Sequence, residues 1–414
     1  MNDVNFESEK INKLKRSILE GNEKAIDEFW KEIKENNTPI IEEIKGDTDD
    51  VLITFLYEGD KDVENVVVLD GCVGLDYEKN KMDRILDTDI WYKTFKVRND
   101  LRFRYFLTVN DSLNEDWQKR NEECIRIDPL AKQKVLVPKD EETLDSQPWI
   151  CNMVELPKAE PKVWSVKRED TPNGNLEMFR YKSKILNDEY RVWIYTPVGY
   201  SKEEEPYKML VLSDGFEYVH GLLTPSLLDN LIYEKQIAPI VAVFIESKDN
   251  RFEMLSCNKN FTSFVAEEIV PYVRERYNVS HKPEDSIIGG LSLGGLAATY
   301  LGVMKSEVFG NVLSQSGSFW WCPGWTPENV NSKEEFQETW ISNLFKEKEK
   351  LNLKFYLEVG ILEGNRMIKP NVIMKDVLLS KGYQVEYSEF KGGHDYLSWG
   401  ETLAKGLVYL VGNK

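Results

Sequence analysis

Residues Ser286–Lys305, SIIGGLSLGGLAATYLGVMK, place a serine between two glycines. An apolar, β-branched run comes before it and a helix-like run after it. In Gly290-Leu291-Ser292-Leu293-Gly294 the pattern predicts a buried strand, a sharp turn and a helix. At the tip of such a turn the serine takes a strained backbone, and its neighbours two residues away must be small for the chain to fold back. The hydroxyl is then raised above the strand ends, beside the positive end of a helix. A glycine-rich bend that merely holds a hydroxyl is the alternative. The surrounding pattern decides between them, because this elbow has meaning only inside a parallel sheet.

That pattern is present. From Pro197 onward, short apolar strands alternate with helices: MLVLSDG, IAPIVAVFIES, the helix FTSFVAEEIVPYVRERY, SIIGG, LAATYLGVMK, NVLSQSG, LKFYLEVG, MIKPNVIMKDVLLSKG, QVEYSEF and a last helix LSWGETLAKGLVYLVG. Phe261, Phe264, Val265, Ile269 and Tyr272 form one face of the first of these helices, and Pro370 predicts an irregularity in MIKPNVIMKDVLLSKG. Near-continuous apolar strands between helices predict a mostly parallel sheet covered on both faces, an α/β-hydrolase arrangement. The strands EMFRYKSKIL and YRVWIYTP, turned at Asn187-Asp188, open it.

Upstream the period differs. Residues 6–36 read as a helical pair broken at Gly21-Asn22, with Ile11, Leu14, Ile18 and Leu19 on one face and Phe29, Trp30 and Ile33 continuing it. From Val51 the runs VLITFLYEG, NVVVLDG, DIWYKTFKV and LRFRYFLTV alternate like strands of a β-sandwich, closed by Asp128-Pro129-Leu130. Pro138, Pro148, Pro157 and Pro161 mark a linker. The expected organisation is a helical segment plus an immunoglobulin-like β-sandwich over 1–150, a linker over 151–165 and an α/β-hydrolase domain over 166–414. Lys202–Glu205 reads as a charged surface loop.

Composition excludes several functions. A net charge of −18 leaves no basic surplus for nucleic acid or an anionic membrane surface. No apolar run reaches the roughly 18 residues of a membrane span, and the amino-terminal stretch has no apolar core of a secretory signal. A cytoplasmic protein is expected. The five cysteines, odd in number and without C-x-x-C spacing, read as reduced core thiols. No H-E-x-x-H, P-loop or G-x-G-x-x-G spacing occurs, so no metal or cofactor is expected.

A serine needs a base, and in this fold the order is Ser, acid, His. Of the three histidines only His394 follows Ser292, in the loop KGGHD between the last strand and the last helix. His281 reads as a surface residue, and so does His220, although it lies near the oxyanion loop. Glu363, in the loop after LKFYLEVG, is the best-placed acid. Asp376 and Asp395 are weaker candidates, Glu358 lies inside the strand where it could support the site from behind, and a Ser-His pair without an acid stays open. The oxyanion donors expected from fold position are the backbone N–H of Leu293 and that of Gly215 or Phe216, in Ser213-Asp214-Gly215-Phe216.

With these blocks in place, the chain resembles the enterochelin (ferric enterobactin) esterase family along almost its whole length. The resemblance rests on DEFWKEIKENNTPIIEE, the sandwich ending near DPL, RVWIYTP, LSDG, RFEMLSCNKNF, IIGGLSLGGLAATYLGVMKSEVFGNVLSQSGSFWW and KGGHDYLSW. SQSGSFWW together with GGHD after the elbow is far more specific than the elbow alone. The resemblance implies a serine esterase that cleaves the trilactone of a catecholate siderophore such as enterobactin or bacillibactin for intracellular iron release. Ser292 and His394 take the nucleophile and base positions, and Glu363 matches the family's acid. Leu293 departs from the family, which often has a bulkier aromatic there. A ferric catecholate is anionic, so the resemblance demands a local positive pocket on an acidic protein. Arg251, Arg366 and Lys391 are the candidates, with Trp320, Trp321 and also Trp325 to stack on catechol rings. The competing functions are a carbohydrate-ester or aryl esterase of the same fold and a non-catalytic siderophore-binding protein.

Overall fold

A computed structural model describes residues 6–112, 124–142, 147–326 and 336–413. Contacts within the chain divide it into two units. The first is Met1–Pro161 together with Lys391–Leu397, and the second is Lys162–Phe390 together with Ser398–Lys414.

The first unit opens with helices Glu9–Leu19 and Ala25–Asn36, separated at Gly21, whose φ is +81°. Ser8 caps the first, its hydroxyl accepting from the Ile11 N–H. Ile11, Leu14, Phe29, Trp30 and Ile33 are buried in one small core and Ile18 packs against it. Leu19, expected on the same face, is 73% exposed. It is the last residue of its helix, and the chain turns away there before a partner can cover it.

Among the described residues nine strands follow: β1 Ile40–Ile44, β2 Asp47–Glu58, β3 Val66–Leu69, β4 Asp83–Arg84, β5 Ile90–Arg98, β6 Arg102–Val109, β7 Ile125–Arg126, β8 Gln133–Val137 and β9 Trp149–Glu155. They form one sheet in the order β1-β2-β5-β4 and another in the order β3-β6-β9-β8, with β7 paired to β6. All pairs are antiparallel. The rings of Phe55 on β2 and Tyr105 on β6 meet at 4.8 Å, joining the two sheets. Asp128 anchors this core. One carboxylate oxygen accepts from Thr38 Oγ1 and Tyr105 OH, both at 2.6 Å, and its N–H donates to Asn152 on β9. The acid is thus satisfied by hydroxyls as well as water-excluded.

In the second unit the strands are β10 Asn175–Ser183, β11 Asp188–Thr196, β12 Lys208–Leu212, β13 Ile240–Ile245, β14 Ser286–Leu291, β15 Asn311–Gln315, β16 Lys354–Gly360 and β17 Gln384–Phe390. Their order is β10-β11-β13-β12-β14-β15-β16-β17. The hairpin β10-β11 joins antiparallel, and from β13 to β17 every pair is parallel. β13, β14 and β15 are buried at every position. That is why they read as unbroken apolar runs, with helices covering both faces. The edge strands are far more open: β10 is exposed along its first four residues, and β17 largely alternates.

Two helices differ in detail from expectation. Lys259–Arg276 carries a wider π turn over Phe264–Ile269, just before Pro271. Proline has no N–H to donate to the fourth carbonyl back, so the wider turn absorbs the break. Asn365–Ser380 runs continuously through Pro370. All five cysteines are free, but only Cys151 is fully buried and Cys322 is exposed. Their distance from the core thus varies more than a reading as core thiols allows. Among the described residues no helix is long and apolar enough to cross a membrane, and no cluster of His, Cys, Asp and Glu could hold a metal ion.

Candidate active site

Ser292 follows β14 directly and heads the helix Leu293–Met304. Its backbone sits at φ 56°, ψ −119°, a sparsely populated region for a side-chain-bearing residue. The glycines of GGLSLGG are each required by a close approach. A Cβ on Gly290 would lie 2.4 Å from the backbone of Gly294, and one on Gly294 would lie 2.7 Å from Ser213 Oγ and 3.2 Å from an Asp214 oxygen. The turn is therefore closed on itself and pressed against the loop after β12. Leu293 is the first residue of its helix, and a first-turn N–H has no acceptor within the helix. It points where the helix dipole is positive.

The loop after β12 begins with Ser213 and Asp214, both buried, then Gly215 and the half-buried Phe216. A Cβ on Gly215 would meet the backbone of Phe244 and Ile245 at 2.9–3.0 Å, so only glycine lets this loop lie so close to β13. Arg251 organises the same loop. Its guanidinium pairs in fork fashion with Asp214, Nε to Oδ1 at 2.7 Å and Nη2 to Oδ2 at 2.6 Å. Its donors therefore serve a protein carboxylate, which changes the expectation of a cation held free for the ligand. Arg251→Ala is expected to destabilise the fold by about 2 kcal/mol, because Asp214 is 1% exposed and loses its counter-ion. The figure falls below the ~3–5 kcal/mol of a fully buried pair because Arg251 itself is a third exposed. Urea unfolding measures it, and Arg251→Lys, which cannot form the fork, should recover only part.

The loops after β14, β15 and β16 lie side by side, since these strands are neighbours. The middle one, SQSGS, links the other two. Ser318 Oγ is 3.3 Å from Ser292 Oγ, and the Ser318 N–H donates to the Ser292 carbonyl at 3.0 Å. Ser316, at φ 49°, donates its hydroxyl to Glu363 and accepts from Trp399 Nε1 at 3.0 Å. Glu363 also accepts from the Gly360 N–H at 2.7 Å. Ser316 and Ser318 were not singled out from sequence. The signal was there in SQSGSFWW, a serine pair directly after an interior strand.

Beneath them Glu358 is fully buried on β16. It accepts from Gln315 Nε2 at 2.8 Å, from Tyr356 OH at 3.0 Å and from Thr402. Burial pushes its carboxyl up to about 7, against hydrogen bonds from Thr402, Gln315 and Tyr356 that lower it. Between the ordinary value of 4.5 and about 7 the folded chain keeps a proton that the unfolded chain releases. Stability is therefore expected to fall as pH rises through that window, by about 3 kcal/mol, and to level off above it. Urea unfolding between pH 4.5 and 8 should show this slope in the wild type and a flatter profile in Glu358→Gln.

His394 lies half-buried in the loop Lys391–Leu397, between β17 and the last helix. That loop groups with the first unit. The Lys391 carbonyl accepts from the Arg102 N–H at 3.0 Å. The lysine's charge falls near Asp100, whose carboxyl it helps hold below the usual range after the larger effect of Arg98. Asp395 is 3% exposed and accepts from the Leu397 N–H at 2.9 Å, bracing the start of the following helix. Asp376 is exposed and pairs with Lys375. His281 and His220 are exposed, as expected.

The tryptophans separate. Trp320 and Trp325 are half-buried, 5.0 Å apart, with the Arg366 guanidinium 4.4 Å above Trp320 and 5.9 Å from Trp325. Phe252, 42% exposed, extends this surface to Trp325 at 5.3 Å. Trp321 is buried instead, edge-on to Trp340 at 5.6 Å. It packs the core rather than offering a face for stacking, a second change from expectation. Adjacent residues leave the turn in opposite directions, and only one can face outward.

A serine held on a strained elbow above an open parallel sheet, with a helix N-terminus behind it, defines a carboxylic ester hydrolase of the α/β-hydrolase fold. The chain belongs to the family described as putative esterase, which matches residues 183–410. Residues 52–164 match the enterochelin esterase N-terminal domain, and the two together give the enterochelin esterase architecture. The iron(III) enterobactin esterase of Escherichia coli O6:H1 is 28% identical over 80% of this chain and 82% of its own length. The iron(III) salmochelin esterase of the same strain is 25% identical over 97% and 98%. The crystal structure of the enterobactin esterase FES from Shigella flexneri in the presence of enterobactin is 26% identical and covers 91% of this chain and 97% of its own, with a TM-score of 0.73.

Proposed function

We propose that this esterase hydrolyses the trilactone backbone of a catecholate siderophore, such as enterobactin or bacillibactin, so that the iron it carries can be released inside the cell. The observation that carries this reading is the match to enterobactin esterases along both units, joined to the strained Ser292 at the head of a helix.

In this reading Ser292 Oγ attacks a lactone carbonyl while His394 takes its proton. The developing oxyanion accepts from the N–H of Leu293 and of Gly215 or Phe216. As the ring C–O bond breaks, His394 returns the proton to the departing seryl oxygen. Water, deprotonated by His394, then cleaves the acyl-enzyme and frees Ser292. Glu363 stabilises the imidazolium and holds its tautomer. The outward pair Trp320 and Arg366 suits a catecholate, offering a ring face and a positive charge on a chain that is acidic overall. Lys391 is a further cation for it. A cytoplasmic location fits this role.

Mass spectrometry of products from ferric and apo trilactones tests the proposal. Linear dihydroxybenzoyl-serine trimers, dimers or monomers are expected. Intact trilactones, alongside ready release of ferulate or acetate from glycan esters, would assign the chain to the carbohydrate-ester alternative. No turnover of either, with tight trilactone binding, would assign it to a binding protein.

A further inference from the structure

We propose that the β-sandwich unit orients the loop carrying His394, with Trp149 and Arg104 as positioning residues for the base. A sandwich that served only to cover a large substrate would have no reason to grip this loop. Yet Lys391–Leu397 belongs to the first unit by its contacts, although its neighbours on both sides in the chain, Phe390 and Ser398, belong to the second. The segment is seven residues long and contains no regular element until Tyr396, so little in its own backbone fixes it.

Strands of the sandwich reach it at two points, and Arg104 backs one of them. The N–H of Arg102, at the start of β6, donates to the Lys391 carbonyl at 3.0 Å. Trp149, at the start of β9, meets Tyr396 edge to face at 5.5 Å and 87°, two residues from His394. Arg104 on β6 lies with its guanidinium 5.7 Å from the Trp149 ring and 5.5 Å from Phe106. Its charge acts on both Asp70, which accepts from its Nε at 2.5 Å, and Asp395. The loop is thus held on both sides of His394, at Lys391 and at Tyr396.

This inference rests on the reading that His394 is the base. A misplacement of a base by a fraction of an ångström costs rate on every ester, large or small. Loss of a substrate cover costs only large substrates. The test therefore uses p-nitrophenyl acetate, too small to need a cover, with fluorophosphonate labelling of Ser292 and thermal unfolding as controls. Trp149→Ala is expected to lower kcat about tenfold with KM within twofold and labelling slowed in parallel, whereas Trp149→Phe, which keeps a ring edge, stays within about twofold of wild type. Trp149→Leu serves the same comparison if the alanine variant unfolds near the assay temperature. The proposal is overturned if folded Trp149→Ala or Trp149→Leu keeps wild-type kcat while His394→Ala is inactive. Turnover retained by His394→Ala would instead overturn the assignment of the base, and the positioning role with it.

Discussion

Ser292→Ala is expected to reduce ester hydrolysis at least about a thousandfold and to leave the fold intact. Among the described residues of the loops after β14, β15 and β16 nothing else can replace the lost nucleophile in place: Ser318 Oγ is 3.3 Å away but follows a different strand and is turned toward Ser292 rather than set above a helix N-terminus. The residual rate would come from the oxyanion donors and from binding alone. Stability should hold because alanine keeps the same backbone strain at φ 56°. Ser292→Gly goes further, since glycine takes that conformation without a Cβ. It should be inactive and about 1 kcal/mol more stable than the alanine variant. Steady-state kinetics with circular dichroism and urea unfolding measures all three proteins. A Ser292→Ala protein retaining a tenth of wild-type activity would end the serine-esterase reading.

The second large effect is on the elbow itself. Gly290→Ala places a Cβ 2.4 Å from the Gly294 carbonyl carbon and oxygen, closer than any real contact. The obstacle is backbone on both sides, so no side-chain rotation relieves it. The turn must open, and overpacking of this kind costs about 3 kcal/mol or more. Opening the turn also moves Ser292 Oγ relative to the Leu293 N–H, so kcat should fall by about a hundredfold even where the protein stays folded. Urea unfolding and kcat on a small ester check the two parts separately. Alanine tolerated at this position on both measures would contradict the close approach that explains the glycine.

Several features were legible because they depend only on neighbours in the chain. The strand-turn-helix at Ser292 follows from apolar period and glycine spacing, and the parallel sheet from strands that are apolar at every position. The β10-β11 hairpin follows from Asn187, which adopts φ 52° in the turn. The glycines at 290 and 294 could be read as necessary, although what each one meets, the Gly294 backbone for Gly290 and the Ser213 and Asp214 side chains for Gly294, became visible only with the loops assembled.

Other features were decided in three dimensions. Arg251 and Asp214 are far apart in sequence, and no local pattern says that the guanidinium is engaged by that carboxylate. Trp320 and Trp321 look equivalent in SQSGSFWW, yet one lies beneath Arg366 and the other in the core against Trp340. Leu19 satisfies the helical period but stays exposed because no element reaches it.

By itself the sequence determined the alternating elements of the second unit, four strands of the first, the strained serine and the esterase architecture, since backbone conformation and apolar period are properties of short segments; it did not show β1, β4, β7, β8 or β9, and β9 runs from Trp149 into the expected linker 151–165. Tertiary structure alone decided that Ser316 and Ser318 bridge the loops of Ser292 and Glu363, and that the loop of His394 is gripped by strands of the sandwich. Those are contacts between segments more than twenty residues apart, and their geometry is set by how sheets stack and strands order, which no local pattern encodes.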